Sequence, residues 1–458
     1  MSQQKAHSFH IPVMGTAFTI DTPLKVAKFG ITSVVSLCDD ELCENMREFY
    51  ANEYNLAYEP IKKWDDDFRA RRITAYLDLL QEIVDIQVAE MKTQSFYEEN
   101  ELTKYFQLLA DDNPLKAKYN TLVTTEDKAA LEEELKNSIK PGDIEVNIMT
   151  KLDRQPLTKK GEPLPDEYSD ASAALRGFAK SKIEAGIVFS AGFNRRLYAY
   201  VDKFNDFFPT KEGKIKKKVI LKVSDFRSSV TQGKFLAKKG IWISEHRIES
   251  GLNCGGHAFA TDGYTLGPIL EEFKQKKEDL IAQLLPICNK VLEQKSQPIF
   301  ESSPTTWVTV QGGVGTSNEH QFLLDYYNVD SVGWATPFLL VPEVTTLDMD
   351  FGGVIWESDF IMVEEWMVDE GFVSVEIPEI PLEPNAYLLV VELYSNGLES
   401  DIILLDDTTV PQPWFASMYW STEDATWYSN GNAMAIHMGI NGLNYADVSE
   451  EKLLTGIE

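Results

Sequence analysis

The stretch TWVTVQGGVGT (306–316) decides the predicted fold of this 458-residue chain. Its β-branched and aromatic residues predict a buried strand, and the glycines that follow predict a tight turn into the next segment. Seven further apolar runs precede or follow it, separated by stretches with helical periodicity. They are IPVMGT (11–16), ITSVVSL (31–37), DIEVNIMT (143–150), AGIVFS (185–190), KVILKVS (218–224), GIWIS (240–244) and VDSVGW (329–334). Eight strands that alternate with helices predict an α/β fold, a (β/α)8 TIM barrel with parallel strands.

A helical insertion is predicted after the second strand, over residues 60–140. Two segments in it have amphipathic helical periodicity, ITAYLDLLQEIVDIQVAEM (73–91) and TTEDKAALEEELKNSIKPG (124–142). A third long helix, at 268–295, follows the sixth strand, and we expect Pro286 to kink or split it. The charges along these helices are typical of solvated faces.

The composition changes at about residue 346. The net charge of the chain is −29, and residues 347–458 contribute −21 of it through 22 acidic residues and one basic residue, Lys452. Short alternating runs such as FVSVEI (372–377) and YLLVVELY (387–394) predict strands there, as do DIILLDD (401–407) and AMAIHMG (433–439). We therefore predict two domains: a barrel over residues 1–346, and an acidic, all-β, sandwich-like domain over residues 347–458.

The charge balance and hydropathy exclude several classes of partner. A chain this acidic does not offer the clustered Lys and Arg that phosphate backbones require, so nucleic acid is not expected as a partner. No run of about 18 apolar residues predicts a membrane span, and the first residues lack the apolar core of a signal peptide, so we expect a cytoplasmic protein. Four cysteines without a CxxC pair favour reduced thiols, with no metal site.

In such a barrel the reacting groups lie at the C-terminal ends of the strands. Gly312 and Gly313 follow the seventh strand, and Ala335 and Thr336 follow the eighth. Backbone N–H groups at such turns can approach a phosphate closely, and a helix N-terminus that follows adds a favourable dipole. Tight turns also use glycine for steric reasons alone, so the motif by itself leaves both interpretations open.

Three polar residues are further candidates for the site. His257 follows Gly255 and Gly256 in a loop after the sixth strand, where it can act as a general base or lie on the surface. Asn147 and Lys222 interrupt apolar strands, and a buried Asn or Lys needs a partner. A flavin ring edge suits both, and pairing of Lys222 with Asp225 or another strand-end carboxylate explains it equally well.

These motifs, taken in order, resemble nitronate monooxygenases, a family of FMN-dependent barrel enzymes. The GGH sequence after strand six resembles their EAGGH motif, residues 11–36 are similar to their opening strand, and VQGGVGT and VGWATPFL resemble their last two turns. The resemblance implies an FMN-dependent oxidoreductase that oxidises a small carbon acid, with His257 as the base. It places the FMN phosphate at Gly312, Gly313, Ala335 and Thr336. It also implies flavin contacts from Met14, Gly15, Asn147, Lys222, Gly255 and Gly256.

The last 112 residues resemble the β-sandwich accessory domains of secreted surface proteins of Bacteroidetes-type bacteria. The resemblance covers PNAYLLVVELYSNG (384–397), VPQPWFASMYW (410–420) and WYSNGNAMAIHMGIN (427–441). It counts against a cytoplasmic location and supports an alternative function. In that alternative the protein is a non-catalytic binding or structural protein in which the β domain carries the function and the barrel is inert. An artificial fusion is one origin for such a chain. The sequence predicts a small-molecule substrate but no oligomeric state.

Overall fold

A computed structural model describes most of the first 338 residues and four strands beyond them. The described residues are 5–13, 20–37, 39–122, 124–125, 127–150, 153–158, 160–190, 192–249, 265–312, 314–335, 338, 372–376, 390–394, 417–421 and 426–430. The chain comprises two units. The larger consists of Met1–Gly255 and Thr261–Thr345, and the smaller of Gly256–Ala260 and Thr346–Glu458.

Eight parallel strands close into a barrel in the order in which they follow along the chain. They are β1 (Phe9–Ile11), β2 (Thr32–Ser36), β3 (Ile144–Ile148), β4 (Gly186–Phe189), β5 (Lys218–Val223), β6 (Ile243–Ile248), β7 (Trp307–Gln311) and β8 (Ser331–Gly333). Closure is made by the pairing of β1 with β8, where Phe9 is opposite Val332 and His10 is opposite Gly333. The predicted parallel barrel with intervening helices is confirmed.

Eleven helices are found in the part of the chain that the structure describes. They are α1 (Thr22–Val26), α2 (Asp40–Glu53), α3 (Phe68–Thr93), α4 (Glu101–Leu108), α5 (Pro114–Thr121), α6 (Lys128–Ser138), α7 (Asp170–Lys180), α8 (Arg195–Tyr200), α9 (Phe226–Ala237), α10 (Leu266–Gln294) and α11 (Ser317–Tyr327). The insertion predicted over residues 60–140 forms α3 to α6, and α2 lies between β2 and that range. α10 continues past Pro286 as one helix, so Pro286 does not split it.

Two strand boundaries differ from the prediction. β1 lies at Phe9–Ile11 rather than 11–16, and β6 lies at Ile243–Ile248 rather than 240–244. The polar sequence Glu245-His246-Arg247 led to the prediction that the sixth strand ends at residue 244, because charged residues are rarely buried without partners. All three side chains are buried in the barrel wall or its interior.

Inside the barrel, charged and polar side chains replace much of the branched apolar packing that is usual for this fold. Arg247 donates to Glu145 Oε2 at 2.8 Å and, through Nε, to Glu245 Oε1 at 2.8 Å. Thr309 Oγ1 donates to Glu245 Oε1 at 2.6 Å, and the ammonium of Lys5 lies 3.4 Å from Glu145. This set of five side chains, the floor cluster, has two positive and two negative charges.

Burial and pairing have opposite effects on the ionisation of the floor cluster. Burial alone raises the pKa of a carboxyl group, but Arg247 and Lys5 outweigh it and lower the pKa of Glu145 to about 2. Burial alone lowers the pKa of a guanidinium, but Glu145 and Glu245 raise that of Arg247 above its ordinary value. Glu145 and Arg247 are therefore both charged at neutral pH, and each stabilises the charge of the other.

Four more strands are described after residue 371. β9 (Phe372–Glu376) pairs antiparallel with β10 (Val390–Tyr394), and β11 (Ser417–Ser421) pairs antiparallel with β12 (Thr426–Asn430). Two of the predicted strands, at 372–377 and 387–394, correspond to β9 and β10. The predicted strands at 401–407 and 433–439 lie outside the described residues, so the sandwich and the boundary at residue 346 stay predictions.

None of the described helices has both the length and the apolar composition needed to cross a membrane. Cys43 and Cys288 are buried and not joined in a disulfide, and burial raises the pKa of Cys288 to about 12. Within the described residues, no group of three His, Cys, Asp or Glu side chains is placed to hold a metal ion.

Replacing Arg247 by Met should destabilise the barrel by about 3–5 kcal/mol, because buried Glu245 then loses its counter-charge and buried Glu145 keeps only Lys5. Urea denaturation followed by circular dichroism measures the effect. Lys276→Met serves as the control: it removes a surface ion pair with Glu272 on α10 and should cost about 0.5 kcal/mol or less. An R247M protein within 1 kcal/mol of wild type, on this order-of-magnitude scale, would contradict the role assigned to the floor cluster.

His246 should make the protein less stable in mild acid. Burial lowers its folded pKa from 6.5 to about 3, while Ser229 Oγ lies 3.0 Å from Nδ1. Below pH 6.5 the unfolded chain binds a proton that the folded chain does not, so stability falls as the pH falls from about 6.5 towards 3. Between pH 7 and pH 5 the loss should be about 2 kcal/mol. His246→Gln should flatten this slope in urea titrations, and an unchanged slope would rule the explanation out.

Candidate active site at the barrel mouth

The C-terminal ends of β3, β5, β6 and β7 bring four polar side chains to one end of the barrel, which we call the mouth. Arg247 on β6 bonds to Glu145 on β3 across two intervening strands, so both side chains point into the barrel. Because side chains alternate along a strand, Asn147 and Glu249 point inward as well, two residues closer to the mouth. Lys222 is in register with Arg247 and has the same orientation.

Lys222 and Gln311 both bond to Glu249. The Lys222 ammonium lies 2.5 Å from Glu249 Oε2, and Gln311 Nε2 donates to the same oxygen at 2.5 Å. The backbone of Glu249 continues the ladder, since its N–H donates to Val223 at 2.9 Å. Of the two readings of Lys222, pairing with a strand-end carboxylate is therefore found. Asp225 is instead the N-cap of α9, where its carboxylate accepts from the Ser228 N–H at 2.6 Å.

Glu249 is the residue at the mouth that the sequence analysis missed. The signal was present in the two-residue period Glu245, Arg247, Glu249, which becomes visible only when the sixth strand is extended through its charged residues. Ending that strand at residue 244 left Glu249 in a loop.

Asn147 is buried, with 4% of its surface exposed. Its backbone carbonyl accepts from the Leu37 N–H at 3.1 Å. Its side-chain amide has no hydrogen-bond partner among the residues that the structure describes. An amide without a partner can bond to a molecule that binds at the mouth.

The turn after β7 begins at Gly312, whose φ of +89° lies in the region that favours glycine. Two backbone N–H groups just before the helix that follows are bonded to a side chain of that helix. Glu319 Oε2 accepts from the backbone N–H groups of Gly315 and Thr316, each at 2.9 Å, and these bonds lower its pKa. Two N–H groups of this turn are therefore already bonded to a carboxylate, and phosphate binding at the turn stays a prediction.

Ala335 follows β8, and its neighbour Trp334 is held in place. Trp334 Nε1 donates to His320 Nδ1 at 2.9 Å, and His320 Nε2 lies 3.0 Å from Ser8 Oγ. Since Nδ1 accepts, the proton of the neutral ring is on Nε2, which donates to Ser8. Burial lowers the pKa of His320, in keeping with this neutral form. The three side chains join β8, α11 and the segment before β1.

The other cofactor and catalytic predictions lie outside the described residues. They are Met14, Gly15, Gly255, Gly256, His257, Gly313 and Thr336. Of the predicted cofactor residues, the structure brings Asn147 and Lys222 together at the mouth and places Gly312 and Ala335 directly after neighbouring strands.

A cavity of about 790 Å³ lies on another face, lined by Phe9, His320, Trp334 and residues of the 110–114 segment among others. Two of its polar lining residues already have partners: Asn113 bonds to Ala6 and Leu115, and His320 to Trp334 and Ser8. The mouth, with an unpartnered amide and an accessible ammonium, is the better candidate for a site of chemistry.

No protein-family model matches this chain, and no curated protein matches it. Among solved structures, a nitroalkane oxidase from Streptomyces ansochromogenes is similar over 72% of this chain and 65% of its own, at 11% sequence identity and a TM-score of 0.28. The chain thus spans less than two thirds of the length of that protein. At this TM-score the likeness carries no argument about activity.

Gly312→Ala should destabilise the protein by about 1–2 kcal/mol, because an L side chain at a φ of +89° strains the backbone. Gly315→Ala is the matched control in the same turn, since an added Cβ there meets only Glu319 Oε2, at 3.6 Å. It should change the free energy of unfolding by about 0.5 kcal/mol or less. Thermal unfolding of both variants measures the difference, and equal melting temperatures would show that the Gly312 conformation is not required.

Proposed function

We propose that the protein is an FMN-dependent oxidoreductase that oxidises a small carbon acid in a reaction like that of nitronate monooxygenases. The observation that carries the proposal is that an ammonium group and an amide without a partner lie at the same end of a closed parallel barrel. Lys222 and Asn147 supply these groups, and the glycine turn at Gly312 follows the neighbouring strand β7. The mouth is where barrels of this type position their chemistry.

The residues present fit a flavin. Lys222 uses one of its N–H groups on Glu249, and no other described residue bonds to its ammonium, so two donors remain for ring oxygen or nitrogen atoms. Asn147 has both a donor and an acceptor to offer. For the phosphate, the resemblance assigns Gly312, Gly313, Ala335 and Thr336, and the left-handed conformation of Gly312 is compatible with close approach of a ligand to the backbone.

FMN, when bound, supplies the two-electron acceptor that no side chain can provide. The chain itself binds and orients the substrate, limits the access of water and accepts a proton. Lys222 places a positive charge where negative charge develops on substrate oxygen atoms, and Asn147 adds a neutral donor. The resemblance gives the proton-accepting role to His257, and it gives further cofactor contacts to Met14, Gly15, Gly255 and Gly256.

The visible spectrum of the protein, expressed with riboflavin in the medium or reconstituted with FMN, tests flavin binding. Lys222→Met should weaken FMN binding at least tenfold, about 1.4 kcal/mol, because it removes two donors and a charge. Lys218→Met is the control, since Lys218 is the exposed residue at the other end of the same strand. Absence of flavin absorbance in the wild type, or equal FMN affinity in K222M, would refute the proposal and favour a non-catalytic binding protein.

His257→Ala tests the base that the resemblance implies. The variant should keep the flavin spectrum and lose turnover of nitroethane by about 10²–10⁴-fold, the usual contribution of a general base. Oxygen consumption in the presence of nitroethane measures turnover. Unchanged turnover in H257A would remove His257 from the mechanism.

A further inference from the structure

His10 on β1 is a buried histidine of the barrel interior that uses one of its two ring nitrogens. Ser331 on β8 is in register with Thr309, which bonds to the floor cluster, so Ser331 points inward. His10 Nδ1 lies 3.2 Å from Ser331 Oγ, which places the ring inside the barrel as well. The residue is 2% exposed, and its Nε2 is fully buried with no hydrogen-bond partner among the residues that the structure describes.

A buried polar atom without a partner costs about 1–3 kcal/mol, so its position in the fold matters. Such atoms also occur in Ser33, Gln87 and Glu271. Gln87 lies on α3 and Glu271 on α10, and Ser33 precedes Val34, which is in register with an inward residue of β3, so Ser33 faces the helices. Among these four side chains, His10 alone directs its atom into the barrel.

The Nε2 atom of His10 lies on the side of the ring that faces the mouth. His10 is in register with Gly333, which is two residues closer to the mouth than Ser331. A Cβ atom on Gly333 would lie 3.0 Å from His10 Nε2 and 2.7 Å from the Cβ of Gln311. Nε2 therefore borders the space that the glycine leaves, next to Gln311, whose amide bonds to Glu249 at the mouth.

The His10 ring is neutral at physiological pH. Burial lowers its pKa well below the ordinary value, Arg247 and Lys5 act in the same direction, and Glu145 opposes them. A neutral imidazole has one N–H and one acceptor nitrogen. The hydroxyl of Ser331 can donate to Nδ1, and the N–H is then on Nε2.

We propose that His10 Nε2–H donates a hydrogen bond to an oxygen atom of the molecule bound at the mouth, while the Ser331 hydroxyl donates to Nδ1. For the identity of that molecule the inference rests on the proposed function. The oxygen belongs to the nitro group of the substrate or to a carbonyl group of the flavin ring, and both are acceptors of the kind that Lys222 also attracts. His10 is a binding residue and accepts no proton, so the role of His257 as base is unaffected.

Gln311 is the side chain that turns aside when a molecule reaches Nε2. Its Cβ borders the same space, and its amide extends from there to Glu249. The residue is half-buried, so its amide has room on the side of the mouth. Rotation about its side-chain bonds moves the amide without moving β7.

Two substitutions of His10 separate the ligand contact from the contact with Ser331. Glutamine places an amide N–H near the position of Nε2, whereas asparagine reaches only as far as Nδ1. We expect His10→Asn to weaken binding of the ligand about fivefold to tenfold and His10→Gln to weaken it about twofold or less. A merely structural role, which depends on the Ser331 bond, predicts the reverse order.

FMN, nitroethane and nitrate are the three probes, and nitrate is chosen because it is planar like a nitro group. Titrations with each probe are followed by flavin fluorescence and by NMR of the full chain labelled with ¹⁵N-histidine. The His10 signals are identified by their absence in H10Q. His7→Gln is the matched control, since His7 is also buried but its Nε2 lies 3.0 Å from the Phe29 carbonyl oxygen; its affinities should equal those of wild type.

A shift of the His10 Nε2 signal on addition of FMN supports the contact and assigns it to the flavin. A shift that appears only with nitroethane or nitrate supports it and assigns it to the substrate. If the protein binds no FMN and nitrate still shifts the signal, the inference about His10 is supported and only the flavin-dependent function is refuted.

An unchanged His10 signal with all three probes overturns the inference, and flavin absorbance in the same sample would leave the proposed function standing. Equal affinities in H10N and H10Q, or weaker binding in H10Q than in H10N, also overturn it. Circular dichroism confirms folding of each variant. The titration of wild type decides the question should H10N fold poorly.

Discussion

The bonds that Arg247 makes with Glu145 and Glu245 are the constraint on which the rest of the barrel depends. A guanidinium inside a barrel is tolerated only when its charge is neutralised and its donors are used. Arg247 meets this requirement by bonding across the interior to β3 and along its own strand to Glu245. These bonds fix which face of β3 and of β6 points inward, and the orientation of every alternate residue on those strands follows from them.

The interior is consequently divided into a floor and a mouth with different properties. In the floor cluster the charges of Lys5, Arg247, Glu145 and Glu245 balance, and Thr309 adds a further donor. At the mouth, Lys222 has two N–H donors and Asn147 has a side-chain amide without hydrogen-bond partners in the described part of the chain. A region that satisfies its own polar groups stabilises the fold, whereas a region with unused ones is suited to bind a ligand.

The sequence analysis found the two strand residues at the mouth that stand out against apolar neighbours, Asn147 and Lys222. It missed Glu249 and misplaced the end of β6 because charged residues within a strand look like the start of a loop when their partners are unknown. The partner of Arg247 on β3 is 102 residues away, so no local pattern reveals it. The same limit applies to the turn before α11. There the side chain of Glu319 accepts from the N–H groups of Gly315 and Thr316, a contact that the glycines of the turn did not predict.

By itself the sequence determined the number of barrel strands, their parallel arrangement with helices and the helical insertion after β2. These features follow from local periodicity and turn residues, which every segment expresses independently. Only the tertiary structure decided which polar residues face one another, because closure of the barrel brings β3, β5, β6 and β7 around one axis. That closure places Arg247 between Glu145 and Glu245 in the floor cluster, and it places Glu249, two residues farther along the chain, beside Lys222 and Gln311.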